Sequence, residues 1–167
     1  LAHFDPLTKV WNRYRIEEAI NAELVAAKRY AAAFALLLFD VDNFKQINDA
    51  HGHNVGDDVL VALARLVESS LRGCDHLGRW GGEEFIVLAT HSDVDAAIGL
   101  AERLRSLVAE LRIAGLEQTI TVSIGVAVWQ SGDSCKTIIS RADDAMYRAK
   151  HGGRNRVEMA PEPVMPI

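Results

Sequence analysis

The sequence predicts an α/β (α+β) sandwich, a central mixed, mostly antiparallel sheet of about five strands flanked by helices. Three observations lead there. Segments with apolar residues at helical spacing alternate with short apolar or alternating runs that suit strands. The Gly81-Gly82 corner joins two of those runs directly, so one hairpin interrupts the alternation. No proline stands between Leu7 and Ala160, so nothing divides the chain internally.

The elements follow in order. A helix is predicted from Asn12 to Tyr30, with Asn12 as its cap. Phe34 to Phe39 reads FALLLF, a strand buried on both faces. Val55, Val59, Leu63, Leu66, Val67 and Leu71 repeat at helical spacing. Strands near Cys74 to Arg79 and over Glu83 to Ala89 flank the glycine corner. A second amphipathic helix spans Val94 to Leu111. Thr119 to Val128 alternates strictly, with Ile120, Val122, Ile124, Val126 and Val128 on one face, which predicts a half-buried strand. A helical stripe from Ile138 to Ala149 stops at Lys150, His151 and Gly152-Gly153. A last short strand is expected from Arg156 to Glu158.

A chain of 167 residues with 49% hydrophobic content supports one domain with one sizeable core. Its 18 basic and 23 acidic residues leave a net charge of −5, which argues against DNA or RNA as partner. A small anionic substrate needs only a few placed cations. Cys74 and Cys135 lack metal-binding or redox spacing and read as small core residues of a reducing compartment. No apolar run reaches the ~18 residues of a membrane span, and no leader-like segment is read at the front.

Two acidic corners carry the chemistry. In FDVDNF, Asp40 ends a strand of apolar residues. A buried carboxylate there is costly unless paired, and strand ends of α/β sheets hold ligands. Asp and Asn are also ordinary turn residues, so a solvated turn stays open. In RWGGEEF, the glycines fit a plain hairpin, and adjacent strand residues point to opposite faces. Glu83 and Glu84 serve one face only if the turn is irregular. If the strands are neighbours, Asp40 and Glu83 converge. Two carboxylates ~4 Å apart repel by roughly 4 kcal/mol at an effective dielectric near 20. A shared proton or a cation relieves that, and oxygen ligands suit Mg²⁺.

Five stretches together resemble the GGDEF domains, the diguanylate cyclases. They are DPLTKVWNR (Asp5 to Arg13), FDVDNFKQINDAHGHNVGDDVL (Phe39 to Leu60), RWGGEEF, SIGVA (Ser123 to Ala127) and ADDAMYRAKHGGRN (Ala142 to Asn155). Lys9 stands where glycine is usual, and Tyr14 and Asn43 also depart from the pattern. The resemblance implies a nucleotidyl-cyclase-like, palm-like fold. It also implies condensation of two GTP into cyclic di-GMP and two pyrophosphates, each 3′-hydroxyl attacking the α-phosphate held by the other subunit of a homodimer.

The resemblance assigns roles residue by residue. Asp40, the carbonyl of Val41, Glu83 and Glu84 match metal ligands, for two Mg²⁺ with Mn²⁺ as the alternative. Glu83 is also the matched base for the attacking hydroxyl. Asn48 and Asp57 match the guanine readers: a carboxylate accepts from the ring N–H and amino group, and an amide both donates and accepts. Their plainer readings are a turn residue and a helix N-terminal acid. Lys45, Lys150 and Arg154 match positions around the triphosphate, although Lys150 also suits a helix C-terminus. Phe44, His53, Gly81 and Gly82 match the nucleotide pocket. His51 and His53 invite a zinc reading, but no further ligand stands at suitable spacing.

The resemblance places a product-binding inhibitory site at Arg72 and Asp75, an RxxD pattern, with Arg103 assisting. A second RxxD, Arg141 to Asp144, reads as an i,i+3 surface pair. The expected organisation is one catalytic domain over residues 1–160, cut from a larger sensory protein, with a Pro-rich tail at 161–167. The expected location is cytoplasmic, free or as the cytoplasmic part of a membrane-anchored bacterial protein. The competing reading is a catalytically weak receptor for GTP or cyclic di-GMP.

Overall fold

The computed structural model describes residues 2–161. Five helices and five strands lie among the described residues: α1 (Arg13–Tyr30), β1 (Phe34–Val41), α2 (Phe44–His51), α3 (His53–Ser70), β2 (His76–Gly81), β3 (Glu84–Thr90), α4 (Val94–Ala109), β4 (Val122–Val128), α5 (Cys135–His151) and β5 (Arg156–Met159). The expected tail falls outside this range from residue 162 onward.

The sheet runs β2-β3-β1-β4-β5. β1 is central and antiparallel to both neighbours, and only β4 and β5 pair in parallel. The mixed, mostly antiparallel sheet of the sequence reading is therefore correct. β1 sorts its side chains between two cores, as a strand buried on both faces must. Ala35, Leu37, Phe39 and Val41 join residues of α2, α3 and α4. Phe34, Leu36 and Leu38 join residues of α1 and α5.

Two helix starts follow from their caps. Asn12 accepts from Arg15 N, as expected from sequence. Ser134 and Thr137 form a capping box at the start of α5.

β4 departs from expectation. It begins at Val122 rather than Thr119, and Val122 to Ala127 are all buried, so it is covered on both faces. The alternation separates large residues from small ones. Ser123, Gly125 and Ala127 occupy the alternate positions, and a Cβ at Gly125 would stand 2.1 Å from Ala142 O and 2.3 Å from Met146 N. The backbone of α5 thus packs directly on β4, which explains the glycine of SIGVA.

α2 was not expected as a helix. FDVDNF is not a simple turn: Asn43, with φ of 57°, leads straight into α2. Eight residues with only Phe44 and Ile47 buried make too short a stripe to read by period. The cysteines also differ from expectation. Cys74 is exposed and Cys135 half-buried, and both are free thiols.

Candidate active site

β1 delivers Asp40 to the end of the sheet. Its register sets Asp40 opposite Glu84 of β3 on one side and Ser123 of β4 on the other. Asp40 is 4% exposed. Its Oδ2 accepts from Lys150 Nζ at the end of α5, and its Oδ1 is buried without a partner. Burial pushes its pKa up to about 6; Lys150 pulls it down, while Glu83 and Glu84 push it further up. Glu84 is the cross-strand partner of Asp40, and Glu83 is the next residue towards the turn.

Gly82 and Glu83 form the turn between β2 and β3, and the register slips between Arg79 and Gly81. The turn is irregular, the condition under which consecutive glutamates can serve one site. Burial also raises the pKa of Glu84, with Asp143 and Glu83 adding to it against Lys150 and Arg13. A Cβ at Gly82 would meet nothing within 4 Å, so open space adjoins the backbone.

The donor set fits a hard divalent cation. A buried carboxylate oxygen without a donor, beside two further carboxylates, has the charge and the free lone pair for one. Val41, the last residue of β1, follows Asp40 directly in the chain and carries the carbonyl matched to a metal ligand. Among the described residues no three His, Cys, Asp or Glu side chains close into a metal cage. His51 and His53 are exposed and form no such cluster.

α2 and α3 carry the residues matched to the base. Phe44 is 8% exposed and belongs to the core. Asn48 is half-buried, with its Oδ1 buried and unpartnered. Asp57 and His53 are exposed on α3, and Lys45 is exposed on α2. The α5 end carries Lys150 and, beyond the helix, Arg154 with φ of 63°.

Asp42 is a site residue that sequence reasoning missed. It is buried and accepts from Thr121 Oγ1 at 2.7 Å, Ser123 Oγ at 2.6 Å and Asn155 N at 3.0 Å. It ties the end of β1 to the start of β4 and to the loop that carries Arg154. Its signal was the second acid of DVD. Asp5 and Arg79 were also left unconnected. Arg79 bridges Asp5 at 3.1 Å and donates to Gly82 O at 2.7 Å, so the opening DPLT segment braces the glycine turn. Burial alone would raise the pKa of Asp5, but hydrogen bonds from Thr8 and Arg79 outweigh it and hold it low. Arg13, Trp80, Lys136 and Asp143 share with Glu84 a cavity of about 670 Å³ between α1 and α5. The Arg13 guanidinium stacks 4.1 Å above the Trp80 ring.

Arg72, Asp75 and Arg103 lie together on the far side of the sheet's edge. Arg72 grips the buried Asp75 through two guanidinium bonds of 2.9 and 3.0 Å and also reaches Thr90 O at 2.8 Å. Arg103 donates to Ser70 O at 2.7 Å. All three line one cavity of about 400 Å³. The second RxxD is not the expected i,i+3 pair. Arg141 turns back to Asp133 and Val128 O, because Asp133 offers a carboxylate only 6% exposed at the base of α5.

No helix among the described residues is long and apolar enough to cross a membrane. Residues 2–156 match the family model described as diguanylate cyclase, GGDEF domain. Diguanylate cyclase DgcM of Escherichia coli is 47% identical over 159 residues, covering 93% of this chain and 38% of that protein. Diguanylate cyclase DgcP of Pseudomonas aeruginosa is 38% identical over 158 residues, covering 93% of this chain and 24% of that one. The chain thus spans well under half the length of these relatives. Among solved structures, the GGDEF domain of DgcB from Caulobacter crescentus in complex with c-di-GMP superposes with a TM-score of 0.91 at 30% identity, covering 97% of this chain and 95% of that one. Diguanylate cyclase SiaD in complex with its activator SiaC from Pseudomonas aeruginosa also gives 0.91, at 38% identity, covering 95% and 62%. With its acidic corner, its sheet order and these matches, the chain belongs to the GGDEF family of diguanylate cyclase domains.

Proposed function

We propose that this chain is a diguanylate cyclase domain that condenses two GTP into cyclic di-GMP and two pyrophosphates. The observation that carries the reading is Asp40: a buried carboxylate with one oxygen unpaired, flanked by Glu83 and Glu84 and facing Lys150.

Asn48 and Asp57 read the guanine, with Phe44 and His53 beside them. Lys45, Lys150 and Arg154 take the triphosphate, and cations there offset its charge. Gly81 and Gly82 let the nucleotide approach the turn. Glu83 accepts the proton of the 3′-hydroxyl as its oxygen bonds to the α-phosphorus of the other GTP; the α–β bridging bond breaks and pyrophosphate leaves. Asp40, the Val41 carbonyl, Glu83 and Glu84 would hold two Mg²⁺, or Mn²⁺ instead. Bound there, such ions would supply charge neutralisation at the reacting phosphate and its leaving group. Each chain brings one GTP, so the homodimer is the working unit.

Arg72, Asp75 and Arg103 form the inhibitory site for cyclic di-GMP. Their shared cavity and the c-di-GMP complex of the DgcB domain support this. Residues 1–160 are the catalytic domain and 161–167 a tail, within a larger cytoplasmic or membrane-anchored protein whose upstream part senses the signal.

The test is direct. Purified chain, incubated with GTP and Mg²⁺ across a concentration series, should yield cyclic di-GMP with a rate per chain that rises with concentration. The Glu83→Ala variant should bind GTP and make none. GTP binding without product at every concentration would make the chain a receptor instead.

A further inference from the structure

Gly56 is a buried residue of α3, immediately before Asp57. Its backbone does not require glycine, because it lies within the helix and not in the left-handed region. Glycine is the poorest helix former apart from proline, so its place here needs another cause. The cause is space. A Cβ on Gly56 would stand 1.8 Å from Asn48 Oδ1, 2.9 Å from Asn48 Cγ and 3.3 Å from Phe44 Cζ. No real carbon sits that close to a carboxamide. The Asn48 amide oxygen fills the volume that a side chain at position 56 would need.

That oxygen is buried and has no hydrogen-bond partner. No donor fixes the amide there; it is held by packing over the bare Cα of Gly56 and beside the Phe44 ring. The residue that yields to a methyl group is therefore Asn48, since its amide is the flexible end of the contact and the α3 backbone is not.

We infer that Gly56 is a positioning residue for base recognition: its missing side chain keeps the Asn48 amide turned so that it and Asp57 act on one guanine edge. The inference rests on the guanine-reading role proposed above for Asn48 and Asp57. A side chain at position 56 swings the amide out and costs guanine preference, while Asp40, Glu83 and the triphosphate cations stay in place.

The experiment compares wild type, Gly56→Ala, Asn48→Ala and the double variant. Calorimetry with 3′-deoxy-GTP and 3′-deoxy-ATP measures binding without turnover, since both lack the attacking hydroxyl. Gly56→Ala is expected to weaken 3′-deoxy-GTP about tenfold, the order of one lost hydrogen bond, with 3′-deoxy-ATP unchanged. KM for GTP rises correspondingly and kcat at saturation holds. In the Asn48→Ala background, Gly56→Ala costs no further preference and raises the melting temperature, because alanine is the better helix former. A purely structural role for Gly56 would lower stability and leave the base preference alone. Guanine preference intact in Gly56→Ala but lost in Asn48→Ala would overturn the inference and leave the recognition role standing. Preference intact in Asn48→Ala would remove the recognition role itself. Unfolding of Gly56→Ala that Asn48→Ala rescues would also overturn the inference, since the amide would then not yield.

Discussion

Lys150 donates to Asp40 across 110 residues of sequence, joining the end of α5 to the end of β1. The ammonium offsets part of the cost of a carboxylate that the sheet buries. It does not offset all of it, because the pKa of Asp40 still stands at about 6 against an ordinary 3.8.

A pH dependence of stability follows from Asp40. The folded chain holds this proton up to about pH 6, whereas the unfolded chain releases it near 3.8. Between those values the folded state binds more protons, so stability falls as pH rises through the window. Asp40→Asn removes this contribution. Urea midpoints of wild type and Asp40→Asn are expected to diverge between pH 4 and pH 7, with the variant gaining relative to wild type. A gap constant with pH would refute the assignment. Mg²⁺ at pH 7 should then raise the wild-type melting temperature and leave that of Asp40→Asn unchanged.

Asp42 holds the Arg154 loop to the sheet. Asp42→Ala strands the hydroxyls of Thr121 and Ser123 and the amide of Asn155, a loss of about 2–4 kcal/mol for charge-assisted bonds in a buried site. Urea unfolding measures the loss, and faster hydrogen exchange at the Asn155 amide localises it.

Lys9 occupies a left-handed conformation with φ of 63°. The family's usual glycine adopts this without strain. Lys9→Gly is expected to stabilise the chain by about 1 kcal/mol and to raise its melting temperature by about 2–4 °C. A lower melting temperature would show that the strain is not there.

Arg72 and Arg103 separate binding from stability. Arg72→Ala leaves the buried Asp75 without its guanidinium and should lower both cyclic di-GMP affinity and stability, the latter by about 2–3 kcal/mol. Arg103→Ala loses one exposed bond to Ser70 O and should weaken cyclic di-GMP with little stability change. Calorimetry and thermal melts on the same samples check both. Unchanged affinity in both variants would move the product site elsewhere.

The sequence by itself determined the sheet and most of its helices. FALLLF read as a doubly buried strand, because six consecutive apolar side chains need cover on both faces and the run is too short for a helix of its own. Asn12 marked the start of α1 because its side chain supplies an acceptor to a free backbone amide. Asp40 and Glu83 were legible as a pair that meets if their strands are neighbours, because carboxylates bordering apolar strands demand a compensating charge, whereas Glu84 joined them only through the family resemblance.

Tertiary structure decided what depends on two distant segments meeting. Lys150 found Asp40, Asp42 found Asn155, and Arg79 found Asp5 only through the fold, since no periodicity records a contact between separate elements. Arg141 chose Asp133 over Asp144 for the same reason. The alternation of β4 was ambiguous in the sequence: Ser123, Gly125 and Ala127 are what a solvated face and a close-packed helix both accept. Only the approach of α5 to within contact of Gly125 decides between them, because a small side chain records the space it leaves and not the atom that fills it.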